Sequence, residues 1–315
     1  MTQSRCARFV VLIVIVSFLA GCSEPQGVIG SPDGRARSWM LREATSENLM
    51  YVADPATGGV LVYSYKPPRY KFVGFLQGLS EPDGECVDKA QHIYIANSSP
   101  GGSKAVFEFA HGGTDPIRIL GAGGYPVACA VDPTTGNLAV LAFNGNSFLD
   151  VFKKARGKPT VYTDDDILMF ACAYDAKGNL FIGGQVVSGN LQLVELPNGS
   201  SIFRNITLNQ SFSFLAGIQW DGKHIAIGDA AQAVIYRFSI AGNAGTKVGA
   251  TPLDGSSTLG QFFITSNRVI APSSPFDSGG YLKIYPYPTG GTGKRSLSNF
   301  STPVSVVISH GQTGE

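Results

Sequence analysis

One pattern recurs through this chain and limits what it can fold into. A short apolar strand, a polar turn and an alternating aromatic strand follow one another six times, as in Leu49-Met-Tyr-Val-Ala-Asp54 with Val60-Leu-Val-Tyr63 and Ile93-Tyr-Ile-Ala-Asn97 with Ala105-Val-Phe-Glu-Phe109. The units begin at 49, 93, 138, 180, 225 and 269, so the intervals are 44, 45, 42, 45 and 44 residues. Self-similarity at this period marks a chain built by repetition of one supersecondary unit.

A further strand precedes most units and ends in a turn: Glu85-Cys-Val-Asp88, Cys129-Ala-Val-Asp132, Cys172-Ala-Tyr-Asp175 and Ile218-Gln-Trp-Asp221. Asp bonds its own backbone in such turns, and the glycines that follow supply positive φ. A weaker fourth strand closes each unit, as in Lys71-Phe-Val-Gly-Phe75. Four strands per period of about 44 residues predict an all-β chain, a six-bladed β-propeller of four-stranded antiparallel blades. Small residues gather where the innermost strands must crowd the axis: Gly84, Ala128, Ala130, Ala171, Ala173 and Gly217. The first unit lacks an inner strand on its N-terminal side. Pro303-Val-Ser-Val-Val-Ile-Ser309 has the missing character, so the ring is expected to close by this C-terminal strand joining the N-terminal blade. The phrases Pro82-Asp-Gly-Glu-Cys-Val-Asp88 and His92-Ile-Tyr-Ile-Ala-Asn97 resemble NHL-type propeller repeats. That resemblance implies the architecture and leaves function open, because one fold hosts many functions.

The N-terminus carries an address. Arg5 and Arg8 precede an apolar run from Phe9 to Leu19, broken only by Ser17 and too short to span a bilayer. Leu19-Ala20-Gly21-Cys22 then resembles the lipobox of bacterial lipoproteins, which implies cleavage before Cys22 and lipid on its thiol. The expected division is a signal peptide over 1–21, a flexible tether over 22–47, the propeller over 48–309 and a tail over 310–315. The expected location is the bacterial cell envelope, lipid-anchored, at the outer membrane or periplasm in a Gram-negative cell.

Composition narrows function by exclusion. The chain has 24 basic and 23 acidic residues, and removing Arg5 and Arg8 with the signal leaves no basic excess to neutralise phosphates. Nucleic acid is therefore not an expected partner. Beyond Cys22 only Cys86, Cys129 and Cys172 follow the signal, an odd number read as small buried apolar residues rather than a disulfide framework. The four histidines, His92, His111, His224 and His310, are read as surface or turn residues. No nucleophile–base motif or phosphate loop is present. Propeller lactonases resemble this architecture and hold a divalent cation on the axis. Here the inner strands place Glu85, Cys129, Cys172, Ile218, Phe262 and Val306 at one level, a single hard ligand where Ca²⁺ wants six to eight oxygens. No cofactor or metal is expected. The leading expectation is a monomeric, non-catalytic binding or scaffold propeller that engages a protein or glycan. The alternative is a periplasmic hydrolase, lactonase-like, with an unrecognised site. Candidate contact residues lie on the face of the inter-unit links: Asp83, Asn97, Asn144, Asp164 and Asp229. An ordinary turn-capping role competes at Asn97, Asn144 and Asp229, and a solvated loop at Asp164.

Overall fold

A computed structural model describes residues 37–98, 104–186, 189–275 and 279–311. The signal peptide, Cys22 and the tether up to residue 36 lie outside the described residues. Among the described residues, the regular elements other than short 3₁₀ turns are strands. The chain opens with β1 (Trp39–Met40), β2 (Leu49–Asp54), β3 (Gly59–Ser64) and β4 (Phe72–Gln77). Next come β5 (Pro82–Val87), β6 (Ile93–Ser98), β7 (Lys104–Phe109) and β8 (Pro116–Gly121), then β9 (Tyr125–Val131), β10 (Leu138–Asn144), β11 (Asn146–Phe152) and β12 (Thr160–Tyr162). β13 (Leu168–Tyr174), β14 (Leu180–Gln185), β15 (Leu191–Leu196) and β16 (Arg204–Leu208) follow. After them stand β17 (Leu215–Trp220), β18 (Ile225–Asp229), β19 (Val234–Ala241) and β20 (Ala244–Asp254). The last are β21 (Phe263–Ile264), β22 (Arg268–Ser273), β23 (Gly280–Pro286), β24 (Gly291–Thr292), β25 (Arg295–Phe300) and β26 (Ser305–Ser309).

These strands form five sheets. Three are four-stranded antiparallel sheets, and one has five strands because β1 adds to β4. The fifth has nine strands: the antiparallel runs β13-β14-β15-β16 and β17-β18-β19-β20 are joined where Thr207 and Leu208 pair in parallel with Ala244 and Gly245, and β24 adds to β20. The long β19–β20 hairpin reaches past its own unit, which is why this boundary does not separate into two sheets.

The C-terminal strand takes the place the sequence predicted for it. β26 pairs antiparallel with β2, from Leu49 opposite Ser309 to Ala53 opposite Ser305. Val306, Val307 and Ile308 are buried, and the strand covers the inner edge that β2 would otherwise present. Two expectations need correction. Residues 37–47 belong to the folded unit rather than to a flexible tether: Trp39 and Met40 pair with Phe75 and Gly74, and a 3₁₀ turn over Arg42–Ser46 buries Ala44. Cys86 and Cys129 are not inert apolar residues but form a disulfide, with Cα atoms 5.7 Å apart. The repeat places Cys86 and Cys129 on neighbouring inner strands, and a one-residue offset in level turns the two side chains toward each other. Cys172 stays a buried free thiol, pushed up to about 12 by burial.

Buried polar side chains hold each connection that enters an inner strand. Asp54 accepts the amides of Ser301 (2.7 Å) and Thr302 (2.8 Å), and Asn97 accepts that of Glu81 (3.1 Å). Asp150 accepts Gly123 N (3.1 Å), and Ser147 accepts Met169 N (2.9 Å) while donating to Ile167 O. Asp229 accepts Ser213 N (2.8 Å), and Ser273 accepts Thr258 N (3.3 Å). All six side chains belong to residues at most 3% exposed. Without these acceptors, irregular backbone would enter the core with unpaired N–H groups, each costing about 1–3 kcal/mol. Replacing Asp54→Ala orphans two of them next to the ring seam. Its expected cost in denaturant unfolding is about 2–4 kcal/mol, whereas Lys89→Ala in an exposed turn should stay within about 0.5 kcal/mol.

Candidate functional site

The turns that join inner to second strands are built alike. Asp88 accepts His92 N, Asp132 accepts Thr134 N, Asp175 accepts Lys177 N and Asn179 N, and Asp221 accepts Lys223 N and His224 N, all at 2.7–2.9 Å. The inter-unit connections and the hairpins after the second strands lie at the opposite ends of the strands. On that face the inner strands begin, and their register is irregular there. Between Pro82 and Glu85 two residues face one on β6, and the same occurs between Leu215 and Ile218 against β18. Val127 and Phe170 are the extra residues in β9 and β13. Such bulges re-aim a side chain beside the ladder. Here they give the mouth of the axis a rim of Asp83, Val127, Phe170 and Ala216, all half-buried.

Just below the rim the strands touch. A Cβ added to Gly84 would lie 2.6 Å from Val127 O and 2.8 Å from Gln261 Oε1, and one added to Gly217 would lie 3.2 Å from Gln261 Cα. Gln261 thus reaches between inner strands, and its Nε2 donates to Glu85 O at 2.8 Å. Its own N–H bonds Val304 O, which ties the last unit to the C-terminal strand. Glu85 is 2% exposed. Its Oε2 accepts the Ser305 hydroxyl at 3.1 Å, a hydroxyl also 2.6 Å from Asp83 O, and its Oε1 has no partner among the described residues. Burial pushes the Glu85 carboxyl up to about 8. Burial and the nearby charge of Glu81 push that of Asp83 up to about 7.

Beyond Asp83 and Lys104 the rim is mainly apolar and aromatic. Phe143 packs on Phe170 with ring centres 5.7 Å apart, and the Lys104 ammonium stands 3.9 Å over the Tyr125 ring. Leu168 and Phe214, at the heads of two neighbouring inner strands, are 45% and 55% exposed. A shallow groove of about 380 Å³ opens on the same face beside them, lined by Asn190, Leu208, Asn209 and Phe212 among others.

The residues selected from the sequence have different fates. Asp83 is at the mouth. Asn97 and Asp229 are buried caps whose acceptors are taken by backbone amides, so neither is placed to touch a ligand. Asn144 is exposed on the β10–β11 hairpin. Asp164 accepts Asp166 N within its own loop. No group of three His, Cys, Asp or Glu that could hold a metal ion occurs among the described residues. The histidines are less free than expected: His92 bonds Glu108 (2.9 Å), and His111 bonds the buried Ser309 (2.6 Å). The sequence reading missed Leu168, Phe170 and Phe214. The usable signal is a large apolar side chain just before a run of small inner-strand residues, as in Leu168-Met-Phe-Ala-Cys-Ala173.

No protein-family profile matches the chain, and no curated protein matches it in sequence. Solved structures do match in fold. A structure of the nidogen/laminin complex superposes with a TM-score of 0.69 at 12% identity, over 84% of this chain and 99% of that one. A protein of unknown function from Bacteroides caccae gives 0.63 at 12% identity, over 84% and 99%. The β-propeller domain of Swd1 from Myceliophteria thermophila gives 0.51 at 13% identity, over 83% and 85%. With its four-stranded antiparallel sheets, the chain has a β-propeller fold.

The buried carboxyl makes a prediction with a definite sign. Glu85 binds its proton more tightly folded than unfolded, so its contribution to stability is complete below about 4.5 and is lost as pH rises through about 8. Glu85→Gln, a neutral isostere, should unfold like the wild type near pH 4.5 and be more stable at pH 8.5, by about 2–4 kcal/mol. Parallel stability curves for the two proteins across that window would contradict it.

Proposed function

We propose that this chain is a six-bladed, lipid-anchored propeller of the bacterial envelope that binds a protein partner through the mouth of its axis. The six blades are counted as antiparallel runs, taking the nine-stranded sheet as two of them. The observation that carries the binding reading is the mouth itself. Leu168 and Phe214 are large apolar side chains left exposed beside the Phe143–Phe170 pair, on the face where rigid inner strands begin. Aromatic and apolar side chains on a rigid support are what protein interfaces use as anchors. A glycan site would be expected to present more hydrogen-bonding groups than this rim offers. A fold neighbour comes from a structure of the nidogen/laminin complex, which agrees with the propeller as a protein-binding scaffold.

Three features support the envelope. They are the Arg5/Arg8 n-region, the Leu19-Ala20-Gly21-Cys22 sequence and the Cys86–Cys129 disulfide, which suits an oxidising compartment. A lipid at Cys22 followed by a polar linker would hold the mouth within reach of partners at the membrane.

Two variants test these parts separately. Cys22→Ala should accumulate as unprocessed precursor without palmitate label; normal processing and labelling would contradict the anchor. Leu168→Ser with Phe214→Ser should keep the wild-type melting temperature, since both side chains are exposed, yet lose proteins crosslinked to the wild type in envelope extracts. Lys89→Glu with Lys177→Glu, on the opposite face, should keep them. The reverse pattern would contradict the mouth as the binding face.

A further inference from the structure

We infer that the mouth takes a basic side chain of the partner, with its cationic head against Asp83; this rests on the protein-binding reading above. The chemistry of the rim is one-sided. The Asp83 carboxylate has no hydrogen bond or ion pair with any described residue, although it is half-buried. The amide nitrogen of Gln261 is committed to Glu85 O, which leaves its Oε1 as a second acceptor beside Gly84. Glu81 adds negative charge nearby. The lysine on this rim, Lys104, has its ammonium over the Tyr125 ring. Among the described residues, no rim group other than that ammonium offers a charged donor, and the Asp83 carboxylate is not paired with it, so these acceptors suit a ligand that brings donors.

Two further features favour a protein cation over a metal ion. A divalent ion of the calcium kind needs six to eight oxygens, and no three carboxylate, His or Cys side chains converge among the described residues. An ammonium or guanidinium is satisfied by two or three acceptors in such a setting. The rest of the rim, Val127, Phe170 and Val304, is apolar or aromatic and half-buried. It fits the methylene stem that Lys and Arg lay along apolar surface, and the Phe170 ring fits stacking by a guanidinium. The same apolar surroundings hold the empty Asp83 carboxyl up at about 7, so a cation seated there replaces solvation that the site withholds.

The probe is a random dodecapeptide library displayed on phage and selected on the immobilised full-length chain. Selected peptides should carry Arg or Lys at a fixed position. Replacing that residue by a neutral counterpart, citrulline for Arg or norleucine for Lys, should weaken binding about tenfold or more, and Asp83→Asn should do the same. The two changes together should cost no more than either alone, which marks a direct contact. Asp83→Asn should fold with an unchanged or raised melting temperature. Neutral or acidic selected peptides, additive losses in the double change, or peptide release by millimolar Ca²⁺ would overturn the inference. If Leu168→Ser with Phe214→Ser abolishes binding while Asp83→Asn does not, the mouth remains the binding face and only the cation assignment falls. If neither variant affects binding, or no peptide is selected, both fall.

Discussion

The structure depends on buried polar side chains that receive the chain as it passes from one four-stranded run to the next. A ring of sheets must bring irregular backbone close to its axis, where water is scarce and unpaired amides are costly. Asp54, Asn97, Ser147, Asp150, Asp229 and Ser273 meet that demand from strands already anchored in the apolar core. They come mostly from the end of the second strand of the unit that the connection enters. The repeat in sequence is thus also a repeat in hydrogen bonding. The apolar clusters between neighbouring sheets, such as Leu49, Tyr51, Val62, Ile95 and Phe109, then pack against faces whose spacing these caps have fixed.

The seam obeys the same rule with residues far apart in sequence. Asp54 caps Ser301 and Thr302, Ser305 reaches Asp83 O and Glu85, and the Gln91 side chain receives His310 N. The first unit is therefore bound to the C-terminal strand by a backbone ladder, and the second by side-chain hydrogen bonds. The Cys86–Cys129 disulfide adds a covalent tie between two inner strands on the far side of β5 from the seam. Closing a 43-residue separation in this way removes unfolded-state freedom worth about 2–4 kcal/mol in the loop-entropy account.

Much of the fold could be read before the structure because period, turn residues and small inner-strand residues all point to the same arrangement. The β26–β2 pairing followed from a missing strand at one end and a surplus one at the other. The disulfide was not legible: the repeat aligns Cys129 with Cys172, and only the opposite orientation of successive side chains along a strand brings Cys86 to Cys129 instead. The site was legible in part. Asp83 stood out by position, but Asn97 and Asp229 carry the same residue types as surface ligands while serving as buried caps, a distinction that requires burial. Phe170 and Val127 reach the rim through bulges, which shift the alternation by one residue. The shift falls so near the start of each strand that too few positions precede it to show the change of phase. Residues 37–47 joined the fold because Trp39 and Met40 extend a sheet edge, a long-range pairing that local composition does not encode.

The seam carries the most weight, because the caps and the rim both presuppose a closed ring. Native-state hydrogen exchange tests it most directly. If closure is as described, the amides of Val306 to Ile308 exchange only with global unfolding, in step with those of β2 and of central strands such as β10. Exchange of β26 by a separate, low-energy opening, while β6, β10 and β14 remain protected, would contradict it.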